Sequence, residues 1–130
     1  MQEMRTKRHV VFTLHLHLVF VTKYRKKVFT ENMYERMKYH FERVCGDFGC
    51  TLVEANGQKD HVHLLVETLP HTTPSKLVNS LKGVSSRMLR LEFPELEKYY
   101  WKGGLWSPSY FVASCGGAPL EIVKEYIEKQ

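Results

Sequence analysis

TLVEANGQKDHVHLLVE, residues 51–67, predicts a β-hairpin around which the rest of the fold can be arranged. Two runs rich in strand-forming residues, Thr51–Gln58 and His61–Glu67, flank a short polar turn, as in two antiparallel strands. Asn56-Gly57 is also a common two-residue hairpin turn and would shift the turn three residues towards the N-terminus. The pattern therefore predicts the hairpin and leaves two positions for its turn.

The residues before the hairpin predict a strand followed by a helix. From Val10 to Val21 the side chains alternate between two faces, which is the period of a strand. Thr30 can cap a helix that ends near Gly49 and whose apolar side chains recur at steps of three and four. Those side chains are Met33, Met37, Phe41, Val44 and Phe48. This helix is expected to pack on the sheet.

The residues after the hairpin predict a helix, a strand and a last helix. Thr73 and Pro74 suit the cap and first turn of the second helix. A fourth strand is predicted from Leu105 to Ala113, and Pro119 opens the last helix. The expected buried stripes are Leu77, Leu81, Val84 and Met88 in the second helix, and Leu120, Val123 and Ile127 in the last.

The predicted order of elements is βαββαβ with an additional C-terminal helix. This order is typical of an α+β, ferredoxin-like (RRM-like) antiparallel sheet with helices on one face, an architecture that many nucleic-acid-binding proteins share. The 130 residues, 43% of them hydrophobic, suffice for one compact core, so residues 1–130 are expected to form a single domain. A fold of this kind does not by itself identify a function.

Charge and cysteine content narrow the function classes. The formal net charge of +5 and pI of about 9.1 favour a polyanionic partner without separating DNA, RNA and a membrane surface. Cys45, Cys50 and Cys115 are odd in number and lack C-x-x-C spacing, which argues against a disulfide framework or a cysteine zinc site. The charged segment Met1–Arg8 is not followed by an uninterrupted apolar run. We therefore expect a cytoplasmic protein with no signal peptide and no membrane span.

Basic and aromatic residues alternate in K-Y-R-K-K, residues 23–27, and again near Tyr99–Lys102. Cations in such segments can hold phosphates while the rings stack on unpaired bases. An ordinary solvated surface is the alternative for each segment. The candidate DNA contacts are Lys23, Arg25, Lys26 and Lys27, with Lys82 and Arg87 on the second helix.

His61 and His63 form an H-x-H pair on a predicted strand. Residues two apart on a strand point to the same face about 7 Å apart, so the two imidazoles can converge on one metal ion. For an isolated H-x-H, partly buried histidines bonded to backbone carbonyls are the more common explanation. His15 and His17 form a second such pair on the first strand, and at most one pair is expected to be catalytic.

Tyr126 and Gln130 are four residues apart on the last helix and therefore lie on one side of it. A glutamine amide oxygen suits Mg²⁺ or Mn²⁺ as a third ligand, and two imidazoles would favour Mn²⁺. A tyrosine one turn earlier can reach a phosphate on that metal and attack it, which joins the protein covalently to a DNA end. The alternative is that Tyr126 fills the edge of the core and Gln130 is a frayed terminal residue.

Five segments in this order resemble the HUH-type single-tyrosine transposases of the small insertion sequences that move as single-stranded DNA. The segments are H-L-V-F-V-T-K-Y-R at His17–Arg25, D-H-V-H-L-L-V at Asp60–Val66, L-K-G-V-S-S-R at Leu81–Arg87, W-S-P-S-Y-F at Trp106–Phe111 and Y-I-E-K-Q at Tyr126–Gln130. The resemblance covers nearly the whole chain. H-x-H alone is a weak motif, whereas the five segments in order are specific.

The resemblance implies a role for each candidate residue. His61 and His63 would be metal ligands, Tyr126 the nucleophile that forms a 5′-phosphotyrosine, and Gln130 the residue that completes the set of ligands to Mg²⁺ or Mn²⁺. Members of this family usually continue past the last motif, so Gln130 is expected in a fraying final turn, where carbonyls lack helical partners. The resemblance also implies a turn at Lys59-Asp60.

The resemblance further implies that His15 and His17 are structural and that the protein is a homodimer. Similar enzymes merge their sheets, and the tyrosine helix of one subunit completes the histidine site of the other. They recognise subterminal hairpins and move the element as a single strand. The alternatives are a domesticated relative that nicks chromosomal hairpins and a non-catalytic module that binds single-stranded nucleic acid.

Overall fold

A computed structural model of the protein describes residues 14–100, 104–114 and 120–130. Within these ranges the elements follow in the order β1 (Leu14–Val21), α1 (Glu31–Asp47), β2 (Thr51–Gln58), β3 (His61–Thr68), α2 (Pro74–Glu92), β4 (Phe111–Ser114) and α3 (Leu120–Glu128). The sheet order is β2-β3-β1-β4, and every neighbouring pair is antiparallel. The predicted ferredoxin-like order βαββαβ is confirmed.

Helices α1 and α2 cover one face of the sheet and bury the main core against it. Alternate residues of the two central strands supply the sheet side of this core: Leu16, Leu18 and Phe20 from β1, and Val62, Leu64 and Val66 from β3. The helices contribute the predicted stripes, although Leu89 rather than Met88 is the buried residue near the end of α2. The Thr30 hydroxyl caps α1 by accepting a hydrogen bond from Met33 N at 3.2 Å.

Helix α3 lies on the opposite face of the sheet, so the expectation that the helices share one face is wrong for α3. Ile127 packs on Val19 and Val21, the residues of β1 that alternate with the main core, and Phe111 and Tyr126 lie beside them. These two valines lie on the face of β1 that also bears His15 and His17, and α3 removes them from water. Pro119 and the side chains of Leu120 and Val123 lie outside the described part of the chain, as do residues 10–13 of the predicted first strand.

Strand β4 is shorter than predicted. Between Leu105 and Tyr110 the only ladder contact in the described residues is an isolated bridge of Trp106 with Thr22. Leu105 and Trp106 are adjacent and both buried, which breaks the alternation that a strand requires. Pro108 also lacks a backbone donor. The segment is therefore a loop that leads into a four-residue strand.

The hairpin turns at Lys59-Asp60, and β2 runs straight through Asn56-Gly57. Gly57 serves close packing instead of the turn. A Cβ at this position would collide with the His61 carbonyl oxygen and lie 2.6 Å from Tyr34 Oη and 2.8 Å from Val62 Cα. Tyr34 Oη itself lies 2.6 Å from the carbonyl oxygens of Gln58 and His61, so it ties α1 to the hairpin beside the histidine pair.

No helix within the described ranges is both long enough and apolar enough to cross a membrane.

Gly57→Ala is expected to lower the free energy of unfolding by about 1–3 kcal/mol, because backbone atoms on both sides must move to admit a methyl group. Urea unfolding checks this. Gly83→Ala in the middle of α2 is the matched control, since a Cβ there meets nothing within 4 Å. It should stabilise the protein by roughly 0.5–1 kcal/mol. Equal stability of the two variants would contradict the packing role of Gly57.

Candidate active site

His61 and His63 lie on the face of β3 that is turned away from the main core, with Val62 and Leu64 buried on the other face. Their ring centroids are 5.1 Å apart and their planes meet at 71°. The β1–β3 register sets Val21 opposite His61 and Val19 opposite His63. The two imidazoles therefore lie side by side, as the spacing predicted, and they share this sheet face with α3.

Asp60 holds the ring of His61. Its Oδ1 lies 2.8 Å from His61 Nδ1, and its Oδ2 lies 3.4 Å from Arg25 Nε. Burial alone would raise the pKa of the Asp60 carboxyl, but the hydrogen bonds and charges of His61 and Arg25 outweigh it and hold that pKa below its usual value. Asp60 is thus an anion at neutral pH, and it leaves Nε2 as the outward nitrogen of His61.

His63 is held by His17 in a similar way. His17 Nε2 lies 3.4 Å from His63 Nδ1, and the two rings stack with centroids 5.6 Å apart. Burial, together with the neighbouring charges of His61 and His17, lowers the pKa of His63 to about 4. The ring is therefore neutral at physiological pH, which is the form that can bind a metal.

The Nε2 atoms of His61 and His63 have no hydrogen-bond partner among the described residues. Two adjacent imidazoles whose Nε2 atoms have no partner among the described residues fit a divalent metal as two of its ligands. No cluster of three or more histidine, cysteine, aspartate or glutamate side chains within the described ranges could hold a metal ion. A third protein ligand of another type, such as an amide oxygen, would fit the pair. We call Asp60, His61, His63 and His17 the histidine half-site.

The side chains of Tyr126, in α3, and Gln130, just after it, both contact the loop that precedes β4. Gln130 Oε1 accepts hydrogen bonds from the hydroxyls of Ser107 and Ser109, both at 2.9 Å. The Tyr126 hydroxyl is 2.9 Å from Ser109 Oγ and donates to it, because the single proton of Ser109 is used on Gln130. We call Tyr126, Gln130, Ser107 and Ser109 the tyrosine half-site.

The tyrosine half-site differs from the expectation of a frayed end. Gln130 lies beyond the last residue of α3, but its side chain has three hydrogen bonds, the third from Nε2 to the Tyr126 carbonyl at 3.3 Å. Burial raises the pKa of Tyr126, and the hydrogen bond with Ser109 offsets this only in part. The phenol is thus protonated at neutral pH.

The two half-sites share a sheet face but are not joined. Among the described residues, no hydrogen bond or ring contact links Tyr126 or Gln130 to His61 or His63. Phe111 lies between them, with its ring centroid 5.8 Å from that of Tyr126 and 6.3 Å from that of His17. Within the described part of one chain, the two half-sites therefore have no direct polar or ring contact through these four residues.

The basic residues predicted to contact DNA have different surroundings. Lys82 Nζ donates to the carbonyls of Ser107, Pro108 and Ser109 at 2.7, 3.2 and 3.2 Å, so all its protons are used within the chain. Arg25 pairs with Asp60. The remaining four are partly or fully exposed, with Lys26 Nζ 5.6 Å from the ring of Tyr99. They are Lys23, Lys26, Lys27 and Arg87.

Sequence reasoning missed Asp60, Ser107 and Ser109 and set His17 aside. Asp60 could have been found, because a carboxylate directly before the histidine pair is placed to bond one of its rings. The role of His17 depends on the register between β1 and β3, and that of the serines on the path of an irregular loop. Neither follows from a local pattern.

Comparison with known proteins identifies the family. The profile described as "Transposase IS200 like" matches residues 10–130. The ISDra2 transposase TnpA of Deinococcus radiodurans is 30% identical over 128 residues, which cover 98% of this chain and 91% of that protein. The transposase for the insertion sequence element IS200 of Salmonella typhimurium is 30% identical over 122 residues, or 94% of this chain and 80% of that protein.

Comparison with solved structures also finds transposases. The crystal structure of a candidate transposase from Deinococcus radiodurans superposes with a TM-score of 0.88 at 33% identity and covers 98% of both chains. A REP-associated tyrosine transposase bound to a REP hairpin shares the fold alone, with a TM-score of 0.61 at 11% identity over 98% of this chain and 69% of that one. The chain belongs to the IS200-like transposase family, and its function class is that of a DNA-processing transposase.

Lys82→Met is expected to lower the free energy of unfolding by about 2 kcal/mol, because the carbonyls of the Ser107–Ser109 loop lose a charged donor. It should also speed amide hydrogen exchange of Ser107, whose N–H donates a hydrogen bond to the Val21 carbonyl oxygen. Lys76→Met on the same helix is the control, since Lys76 is exposed and should change stability by less than about 0.5 kcal/mol. Equal effects of both substitutions would contradict the bracing role of Lys82.

Proposed function

We propose that this transposase cuts and rejoins single-stranded DNA through a 5′-phosphotyrosine at Tyr126, with a divalent metal held by His61, His63 and Gln130. The observation that carries the proposal is the His61–His63 pair, in which neither Nε2 atom has a hydrogen-bond partner among the described residues. Membership of a transposase family indicates that the substrate is a nucleic acid.

The ligand set suits Mg²⁺ or Mn²⁺. Two imidazole nitrogens and a neutral amide oxygen form a mixed set in which the nitrogen ligands favour Mn²⁺. When bound, the metal withdraws charge from the scissile phosphate and positions it. Asp60 orients His61 through Nδ1, and burial keeps His63 neutral. Gln130 must exchange its bonds with Ser107 and Ser109 for the metal.

Tyr126 is the proposed nucleophile. Its Oη forms a bond to the scissile phosphorus, the bond from phosphorus to the 3′ oxygen breaks, and that oxygen leaves as a free 3′-hydroxyl. Because burial raises the pKa of Tyr126, its proton must be removed as the attack proceeds. The phosphotyrosine keeps the energy of the broken bond, so a 3′-hydroxyl can attack it and reseal a strand without a nucleotide cofactor.

The proposal includes a homodimer whose sites are completed in trans. Two observations support it. Among the described residues of one chain, no hydrogen bond or ring contact links Tyr126 or Gln130 to His61 or His63, so the tyrosine half-site of a second copy can take that place. Strand β4 is also an edge strand, paired on one side only among the described residues, and Val112 on it is 42% exposed. An unpaired edge of this kind can extend a sheet across two subunits.

The basic loop Lys23–Lys27 is the proposed contact for the DNA strand. It lies against the histidine half-site, because Thr22 N bonds Asp60 O at 2.9 Å and Arg25 bonds the Asp60 carboxylate. The ring of Tyr24 is 76% exposed among these cations and can stack on an unpaired base. The related fold that binds a REP hairpin supports hairpin-bearing DNA as the substrate.

The test is a covalent adduct between the protein and labelled single-stranded DNA carrying hairpins. In Mn²⁺ or Mg²⁺ the wild type should form an adduct that resists denaturant, and a chelator should abolish it. Tyr126→Phe should reduce the adduct at least 1,000-fold, on the order of the loss when a nucleophile is removed. Tyr39→Phe, which alters a tyrosine on α1, should leave it unchanged.

An adduct that persists in Tyr126→Phe would show that another residue is the nucleophile. DNA binding by the wild type without any adduct would favour the non-catalytic module instead.

A further inference from the structure

His17 touches the histidine pair although it lies on another strand. It is diagonal to His63 across the β1–β3 ladder, where Val19 is directly opposite His63 and Leu65 is opposite His17. The contact joins His17 Nε2 to His63 Nδ1 at 3.4 Å, with the ring planes 21° apart. Asp60 engages Nδ1 of His61 in the same manner. Each histidine of the pair thus has its Nδ1 held within the protein.

The direction of the hydrogen bond between His17 and His63 decides whether His63 can bind a metal. A neutral imidazole has one N–H and one lone pair. If His63 donates from Nδ1, its Nε2 keeps a free lone pair. If His17 donates instead, the proton of His63 must be on Nε2, which blocks that atom. His17 therefore supports metal binding only when it accepts through Nε2 and keeps its own proton on Nδ1.

The surroundings of His17 favour the accepting form. Its Nδ1 is the only buried side-chain polar atom in the described ranges that has no hydrogen-bond partner. His17 and His63 line a cavity of about 170 Å³ together with Glu54 and Asn56, which is large enough to hold water. The carboxylate of Glu54 on the wall of this cavity can only accept hydrogen bonds, so a water between it and His17 donates to Glu54. Such a water can accept a hydrogen bond from His17 Nδ1–H, which matches the form of His17 that accepts through Nε2.

We propose that His17 is a positioning residue for His63: by accepting a hydrogen bond from Nδ1, it presents His63 Nε2 to the divalent metal. The inference rests on the proposed function, because the metal site is itself part of that proposal. It gives both ligands of the pair a matching support, a carboxylate for His61 and an imidazole for His63.

Mn²⁺ binding by the full chain without DNA tests this role, read from the loss of the free-ion electron paramagnetic resonance signal. His17→Leu removes the acceptor and should weaken Mn²⁺ binding about 10- to 100-fold, as is usual when a ligand loses its hydrogen-bond partner. His17→Gln offers an amide oxygen to His63 Nδ1 and should recover most of that loss. His15→Leu is the control, since His15 lies on the same strand and contacts Glu67 instead.

The outcomes separate the two proposals. Mn²⁺ binding that is equally tight in the wild type and His17→Leu would overturn the role of His17 alone. Equal losses of Mn²⁺ affinity in His17→Leu and His17→Gln would show that His17 only packs against His63 and does not accept a hydrogen bond from it. If the wild type binds no Mn²⁺, or if His63→Ala leaves Mn²⁺ binding unchanged, the metal site of the proposed function fails, and the role of His17 fails with it.

The tautomer of His63 gives a second readout that packing would not change. Nitrogen-15 shifts of the metal-free protein should show the His63 proton on Nδ1. In His17→Leu this preference should weaken, while His15→Leu should keep it. A wild-type His63 protonated on Nε2 would contradict the proposed direction of the hydrogen bond.

Discussion

The register of the antiparallel ladder between β1 and β3 is the constraint on which the candidate site depends. Because side chains alternate along a strand, a slip of one residue would point His61 and His63 towards the main core. It would also move Val62 and Leu64 to the opposite face of the sheet. The buried residues of both strands prevent this slip, since Leu18 and Phe20 of β1 share one core with them. The same register brings His17 to His63. Core packing thus fixes the positions of the polar groups on the opposite face.

The loop before β4 supports the other half of the chemistry. Lys82 reaches from α2 to three successive carbonyls of this loop, and the loop's serines hold the side chains of Tyr126 and Gln130. The ammonium of Lys82, on the face covered by α1 and α2, therefore helps to position the tyrosine half-site on the face covered by α3. The proposed ligand Gln130 is bound to serines in this arrangement, so metal binding through it requires that contact to open.

The sequence predicted the element order, the hairpin and the side of β3 that bears the histidines, because hydrophobic period and turn residues are local signals. It predicted a long fourth strand wrongly, since the buried pair Leu105-Trp106 and the Lys82 contacts are properties of the folded chain. The separate face of α3 was missed because Val19 and Val21 sit in an otherwise polar register. His17 was set aside as structural on the family resemblance, and its contact with His63 follows only from the register between β1 and β3.

Coordination of the metal by both His61 and His63 can be measured by electron spin echo spectroscopy of Mn²⁺ bound to protein labelled with nitrogen-15 histidine. We expect two directly coordinated histidine nitrogens in the wild type and one in His63→Ala. No coordinated histidine nitrogen, or the same number in the wild type and in His63→Ala, would contradict it.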